Sequence, residues 1–177
     1  MSKVTLATTW LDGCSGCHMS LLDIDERLID IADKIEVVYS PLVDLKEYPE
    51  QVDVAIIEGA ISSEEDLHKI KMIRARTKIL VALGDCAVAG NIPTMRNKFS
   101  REELLDVVYI KSATVNPQHP SEVIPALLPK AVPLHEVVEV DVFVQGCPPS
   151  ADTIFHTIAE LLEGRIPNLT DITRPGA

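Results

Sequence analysis

Apolar positions along the chain fall into two kinds of run that alternate. Short continuous runs rich in β-branched residues occur at 3–8, 34–39, 53–57, 78–83 and 141–144. They have the character of strands buried in a parallel sheet. Between them, residues 18–33, 63–76 and 150–163 carry helical spacing. In the first of these, Leu21, Leu22, Leu28, Ile29 and Ala32 fall on one stripe, flanked by Ile24 and Ile31. In the second, Ser62 or Ser63 serves as cap, with Glu64, Glu65 and Asp66 in the first turn. Gly164 closes the third. Residues 9–16 read as a loop.

The pattern is less regular over 91–139, where Pro93, Pro117, Pro120, Pro125, Pro129 and Pro133 interrupt it. Short helices are expected at 101–106 and 122–128, and loop elsewhere. An insertion of this length in a compact domain covers a site or meets a partner. The alternation of strand and helix predicts one α/β domain over 1–177. It has a doubly wound parallel sheet of about five strands and helices on both faces. Ligands of such sheets bind beyond the carboxyl ends of the strands.

Charge narrows the function classes. Lys plus Arg is 16 and Asp plus Glu is 27, a net of 16 − 27 = −11. Such a chain repels phosphate backbones and anionic membrane surfaces, so neither nucleic acid nor membrane is an expected partner. With 46% apolar residues it is too hydrophobic for disorder, and no apolar run is long enough to span a bilayer. The first residues show no charged leader followed by a long apolar stretch, which predicts a cytoplasmic chain.

The four cysteines are Cys14, Cys17, Cys86 and Cys147. In a reducing cytosol they point to metal or redox chemistry rather than disulfides. Each falls just past the carboxyl end of an expected strand, so one sheet edge can gather all of them. Gly13, Gly16, Gly84 and Gly146 stand close by and let the backbone turn sharply. Several sites are consistent with this set. Cys14-x-x-Cys17-His18 has the haem-attachment pattern, and a dithiol oxidoreductase would use the same pair before a helix; both leave Cys86 and Cys147 without a role. Structural zinc suits four thiolates, although it commonly uses two close pairs. Buried cysteines acting as small apolar residues would explain Cys86 but not the set. A cubane iron–sulfur cluster fits better: its four thiolates can come from separate loops, and backbone N–H groups there donate to its sulfurs. Pro148 and Pro149 stiffen the last loop, and the closing helix begins nearby, its positive end available to the cluster.

Trp10-Leu11-Asp12-Gly13-Cys14-Ser15-Gly16-Cys17 resembles the opening motif of nickel–iron hydrogenase small subunits. Glu58-Gly59-Ala60, Gly84-Asp85-Cys86-Ala87 and Val144-Gln145-Gly146-Cys147-Pro148-Pro149 resemble that family's later signatures, in order, so the likeness runs to about Gly164. The resemblance implies a flavodoxin-like fold. It also implies that Cys14, Cys17, Cys86 and Cys147 ligate one proximal 4Fe–4S cluster, which takes electrons from a nickel–iron centre in a separate large subunit. Respiratory small subunits carry an export leader and further cysteines for more clusters; this sequence shows neither. The trimmed form is similar to small subunits of soluble, cytoplasmic NAD(P)-coupled bidirectional hydrogenases. There a diaphorase with its own clusters and FMN receives the electrons. The related complex I quinone-reductase subunit has adjacent cysteines where this chain has Cys14 and Cys17 two residues apart. Some relatives have been assigned an extra FMN near the subunit pair. On this chain the loop after the first strand, where a flavodoxin cradles phosphate, is given over to Cys14 and Cys17, which counts against FMN.

Other residues carry two readings each. Glu58 suits a proton relay or a carboxylate that fixes a loop through backbone N–H groups. Trp10 shields the cluster or packs at the sheet edge. His18 bonds a cluster sulfur or starts the helix. Asp85 faces the cluster or, the better expectation, a backbone N–H. His68, His119, His135 and His156 show no ligand spacing and read as structural or exposed. Lys69, Lys71, Arg74, Arg76 and Lys78 form a local basic cluster, a solvated face before it is a docking patch.

Overall fold

The structure, a computed structural model, describes residues 3–176. The elements run β1 (Val4–Trp10), α1 (Gly16–Leu22), α2 (Arg27–Ile31), β2 (Ile35–Tyr39), β3 (Val52–Glu58), β4 (Ile61–Ser63), α3 (Glu64–Ala75), β5 (Thr77–Leu83) and α4 (Gly84–Ala89). They continue through α5 (Asn91–Thr94), α6 (Arg101–Asp106), β6 (Leu127–Val132), β7 (Val142–Val144) and α7 (Ala151–Leu162). Five strands form one parallel sheet in the order β2-β1-β3-β5-β7. Counted along the chain within that sheet, this is the flavodoxin-like doubly wound order 2-1-3-4-5.

Alternation along the strands builds two cores. Leu6, Val54, Ile56, Val81 and Leu83 face α1, α2 and α7, where they meet Leu21, Ile24, Ile31, Ile154 and Ile158. Ala7, Ala55, Ile57, Leu80 and Ala82 face the other way and meet Ile70 and Ile73 of α3 and Ala87 of α4. The central strands are covered on both sides, which is why their sequences are continuously apolar. Ser63 caps α3 by accepting from Asp66 N–H, and Asp66 returns the bond to the backbone N–H of Ser63.

Four expectations need correction. The helix expected over 18–33 is two helices, because Asp25 adopts a positive φ of 57° and breaks the run. The break resets the helical phase. Ile24 and Ile31 are therefore the buried residues, while Leu22, Ile29 and Ala32, placed on the stripe, are exposed. The segment 122–128 is not a helix. Val123 has positive φ, Pro125 withholds an N–H, and Leu127 opens β6, which pairs antiparallel with β4. Residues Asn91–Thr94, within the segment read as loop, form α5; just before it Gly84–Ala89 form α4, so Cys86 sits on a helical turn. Strand β1 runs on to Trp10, so the loop begins later than residue 9. The segment after α6, residues Val107–Lys111, is a π-helical turn whose Val107, Val108, Tyr109 and Ile110 are exposed.

Candidate metal centre

Three strand ends and the strand between them build the site. Cys14 and Cys17 follow β1, Cys86 follows β5, and Cys147 follows β7; β3 lies between β1 and β5 and ends at Glu58. Cys14, Cys17, Cys86 and Cys147 line one cleft together with Gly13, Gly16, Glu58, Gly59, Asp85, Gly146 and Pro148. The cleft holds about 360 Å³ of space, part of it open to solvent. All four cysteines are free thiols; Cys14 and Cys147 are exposed, Cys17 and Cys86 half-buried.

Backbone conformation makes room for the sulfurs. Gly84 has φ +82°, and a Cβ there would overlap Cys17 Sγ. Only glycine satisfies both conditions without strain. Gly59, at φ +87°, lets the segment after β1 come close: a Cβ on it would stand 2.8 Å from the Leu11 carbonyl carbon. Leu11 N–H donates to Glu58 O at 2.9 Å, and Asp12 and Ala60 exchange backbone bonds. The loop before Cys14 is thereby fixed to the end of β3.

Side chains tie the loops to one another. Glu58 is 2% exposed, and its Oε2 accepts the His18 backbone N–H at 2.6 Å while standing 2.8 Å from His18 Nδ1. Of its two readings, the backbone N–H contact has the geometry of loop fixing. His18 is fully buried, and its Nε2 has no partner among the described residues. Trp10 packs edge-on to that imidazole, with ring centroids 5.3 Å apart. It does not line the cleft, so it is a packing residue of the sheet edge. Asp85 takes the backbone role expected of it: Oδ1 accepts Gly146 N–H at 2.8 Å, Oδ2 accepts Gly176 N–H at 2.5 Å, and Asp85 N–H donates to Gly146 O. The Cys86 and Cys147 loops are locked together by this pair of contacts.

Two further tethers escaped the sequence. Asn91 Nδ2 lies 3.4 Å from Cys147 Sγ, and Ser20 Oγ donates to Pro149 O at 2.5 Å. The turn dipeptide Gly90-Asn91, with both φ values positive, was the available signal for the first. Helix α7 starts at Ala151, just after this loop, with its first turn capped by Ser150 Oγ.

Electrostatically the cleft disfavours free thiolates. Burial pushes the Cys17 thiol well up; the Glu58 carboxylate adds to this, followed by Cys86, Cys14 and Cys147. Burial also raises Cys86, reinforced by Cys147 and partly offset by the Ile92 N–H. Thiolates at Cys17 and Cys86 are favoured only beside positive charge, which bound metal would provide. The donor set and the glycine-made room for Cys17 Sγ fit a cluster held by Cys14, Cys17, Cys86 and Cys147.

The other candidate residues lie away from the cleft. His68 and His156 are exposed, His119 pairs with Asp106, and His135 stacks edge-on to Phe143. In the basic cluster, Lys69 pairs with Glu65, Arg74 with Asp141, Arg76 with Glu50 and Lys78 with Asp53, which supports the solvated-face reading.

Residues 14–161 match the family described as NADH ubiquinone oxidoreductase, 20 Kd subunit. The chain is 41% identical over 170 residues to the NAD-reducing hydrogenase HoxS subunit delta of Cupriavidus necator, covering 92% of this chain and 80% of that one. It is 44% identical over 161 residues to an F420-non-reducing vhu hydrogenase subunit of Methanocaldococcus jannaschii, covering 90% of this chain but 56% of that one. A solved structure titled as an NAD+-reducing [NiFe]-hydrogenase in the H2-reduced state contains a chain that superposes with a TM-score of 0.94 at 37% identity. The match covers 99% of this chain and 100% of that one. The chain belongs to the family of the NADH ubiquinone oxidoreductase 20 Kd subunit and, within it, to the hydrogenase small subunits.

Proposed function

We propose that this chain is the electron-transfer small subunit of a cytoplasmic NAD(P)-reducing nickel–iron hydrogenase. In this reading its 177 residues act as one domain that holds one 4Fe–4S cluster. It stands between a large subunit bearing the nickel–iron centre and a diaphorase bearing FMN and further clusters. The observation that carries the reading is the convergence of Cys14, Cys17, Cys86 and Cys147 on one cleft at the strand ends. The end-to-end match to a chain of an NAD+-reducing hydrogenase supports the NAD(P) assignment. The Methanocaldococcus relative, by contrast, is matched over little more than half its length.

A 4Fe–4S cluster bound in the cleft supplies one-electron transfer. The four thiolates bind it, Glu58 and Asp85 hold the loops that carry them, and the Asn91 amide stands at Cys147 Sγ. The exposed apolar residues of the inserted segment, Ile92, Met95, Phe99, Val107 and Val108, suit burial against a partner subunit. FMN belongs on the diaphorase in this reading, because Cys14 and Cys17 occupy the turn that would cradle its phosphate. No helix among the described residues is long and apolar enough to cross a membrane.

A zinc-stabilised scaffold is the main rival. Structural zinc sites commonly draw on two close cysteine pairs, whereas here one pair, Cys14 and Cys17, is joined by single cysteines, Cys86 and Cys147, from two other strand ends. A complex I-like cluster subunit is supported by the family description, whereas both relatives named above are hydrogenase subunits.

Anaerobic purification with metal and sulfide analysis tests the proposal. A brown protein with about four iron and four acid-labile sulfide per chain is expected. Nickel and flavin should co-purify with the native complex. Stoichiometric zinc without sulfide would overturn the cluster, and a complex without nickel would overturn the hydrogenase.

A further inference from the structure

The first turn of α1 lacks a cap of its own. Ser15, the residue before it, is in the left-handed region at φ 63° and makes no side-chain bond to the turn. The acceptor comes instead from another strand, forty residues away in sequence. Glu58 Oε2 stands 2.6 Å from the His18 backbone nitrogen and 2.8 Å from His18 Nδ1. Both groups belong to the residue that directly follows Cys17. Pair and acceptor are almost fully buried, His18 at 0% and Glu58 at 2%. A buried acceptor oxygen that serves two donors of one residue at once is a strong local constraint.

The position of Cys17 depends on that constraint. Its sulfur lies where Gly84 leaves no room for a Cβ, so a small rotation of the turn would drive it into the β5–α4 corner. The other ties on α1 act further along, through Ser20 Oγ to Pro149 O. Of the contacts described above, the Glu58 bonds are the ones placed next to the cysteine itself.

We propose that Glu58 is a positioning residue for Cys17: its Oε2, by accepting both His18 donors, holds the cysteine-bearing turn of α1 in the place where the sulfur can bind the cluster. This inference rests on the cluster reading above. It differs from a proton-relay role, since it needs an acceptor oxygen at a fixed reach and not a titrating carboxyl group. Two conservative variants separate the two requirements. Glu58→Gln keeps the reach and an acceptor oxygen but cannot relay a proton. Glu58→Asp keeps the carboxyl group but shortens the reach by one methylene.

The test is iron and acid-labile sulfide per chain in the anaerobically purified complex, with the low-temperature electron paramagnetic resonance of the reduced protein. Wild-type, E58Q, E58D and E58A proteins are compared, and folding is followed by circular dichroism. Iron and sulfide are expected at the wild-type level in E58Q. They should fall at least twofold in E58D and further in E58A, with a broadened or split signal in whatever cluster remains. Where E58A does not fold, the E58Q and E58D pair decides. Wild-type iron in E58D together with loss in E58Q would overturn the proposal, as would full iron and an unchanged signal in all three variants. An E58Q complex with a full cluster but slowed hydrogen turnover, beside an active E58D with a full cluster, would assign Glu58 to proton relay instead. Wild-type protein that holds no iron would defeat the cluster reading itself, a different failure from any of these.

Discussion

The two ends of the parallel sheet handle charge in opposite ways. At the amino end, acids meet bases. Asp53 on β3 takes Lys78 Nζ at 2.6 Å as well as the backbone N–H and hydroxyl of Thr5. Asp141, before β7, takes Arg74 Nη1 at 2.6 Å and Leu80 N–H at 2.7 Å. Arg76 reaches Glu50. At the carboxyl end, Glu58 and Asp85 spend their oxygens on N–H groups of the chain, Asp12 is bonded to Ser62 Oγ, and no Lys or Arg pairs with them among the described residues. Four thiols face the same space. One end pairs its acids with bases of the chain; the other sets its acids on N–H and hydroxyl groups beside four thiols that share one cleft. The contrast separates the contacts that build the fold from the group of side chains that the proposed function assigns to a cluster.

Variants at the two ends should therefore fail differently. The largest effect is expected at the carboxyl end. Cys147→Ser should abolish most of the iron and sulfide of the purified complex while far-ultraviolet circular dichroism stays near wild type. Intact iron content in this variant would break the assignment of a four-thiolate site. Gly84→Ala comes next. Its positive φ should cost about 1–3 kcal/mol in denaturant unfolding, and the overlap with Cys17 Sγ should lower iron content as well; a stable, fully loaded G84A would contradict the geometry.

At the amino end the loss should be of stability alone. Asp141→Asn weakens bonds to a guanidinium and to Leu80 N–H, about 1–2 kcal/mol in urea unfolding, with wild-type iron and sulfide. The smallest effect belongs to Asp53→Asn. The Lys78 ammonium, and then the Thr5 N–H, hold the Asp53 carboxyl below the usual carboxylate range. Since its folded value is depressed, its stabilisation is fully present above the unfolded value and is lost as pH falls through the folded one. Solvent screening leaves about 0.5 kcal/mol. The gap between wild type and D53N in urea midpoints should thus be visible at neutral pH and close in acid, below the ordinary aspartate range. A gap that widened on acidification would reverse the sign of this linkage.

The gathering of the cysteines was legible because strand ends are legible: apolar runs, followed by glycine, followed by Cys14, Cys86 or Cys147. The parallel sheet followed from the alternation of strand and helix, and the flavodoxin-like arrangement from the family resemblance. Other features had no local signal. The break at Asp25 lies in a stretch without glycine or proline, where an aspartate takes the left-handed conformation. That break exposes Ile29 and buries Ile31, the reverse of what a continuous helix gives. The strand pair β4–β6 is short and joins segments about seventy residues apart, and its Pro129 resembles a breaker from sequence alone. The Glu58–His18 bond is wholly tertiary. Its two residues show their partnership only once β3 has been placed beside β1.

Strand β7 is three residues long, lies at the sheet edge and pairs with β5 alone, through Val142, Phe143 and Val144. Yet Cys147, the last of the four cleft cysteines along the chain, follows it. Elements with so few ladder bonds open at lower free energy than a sheet's central strands. In the reading proposed above, a cluster would gain its fourth thiolate only once β7 has docked against β5, which would make its loading a late event in the life of the chain.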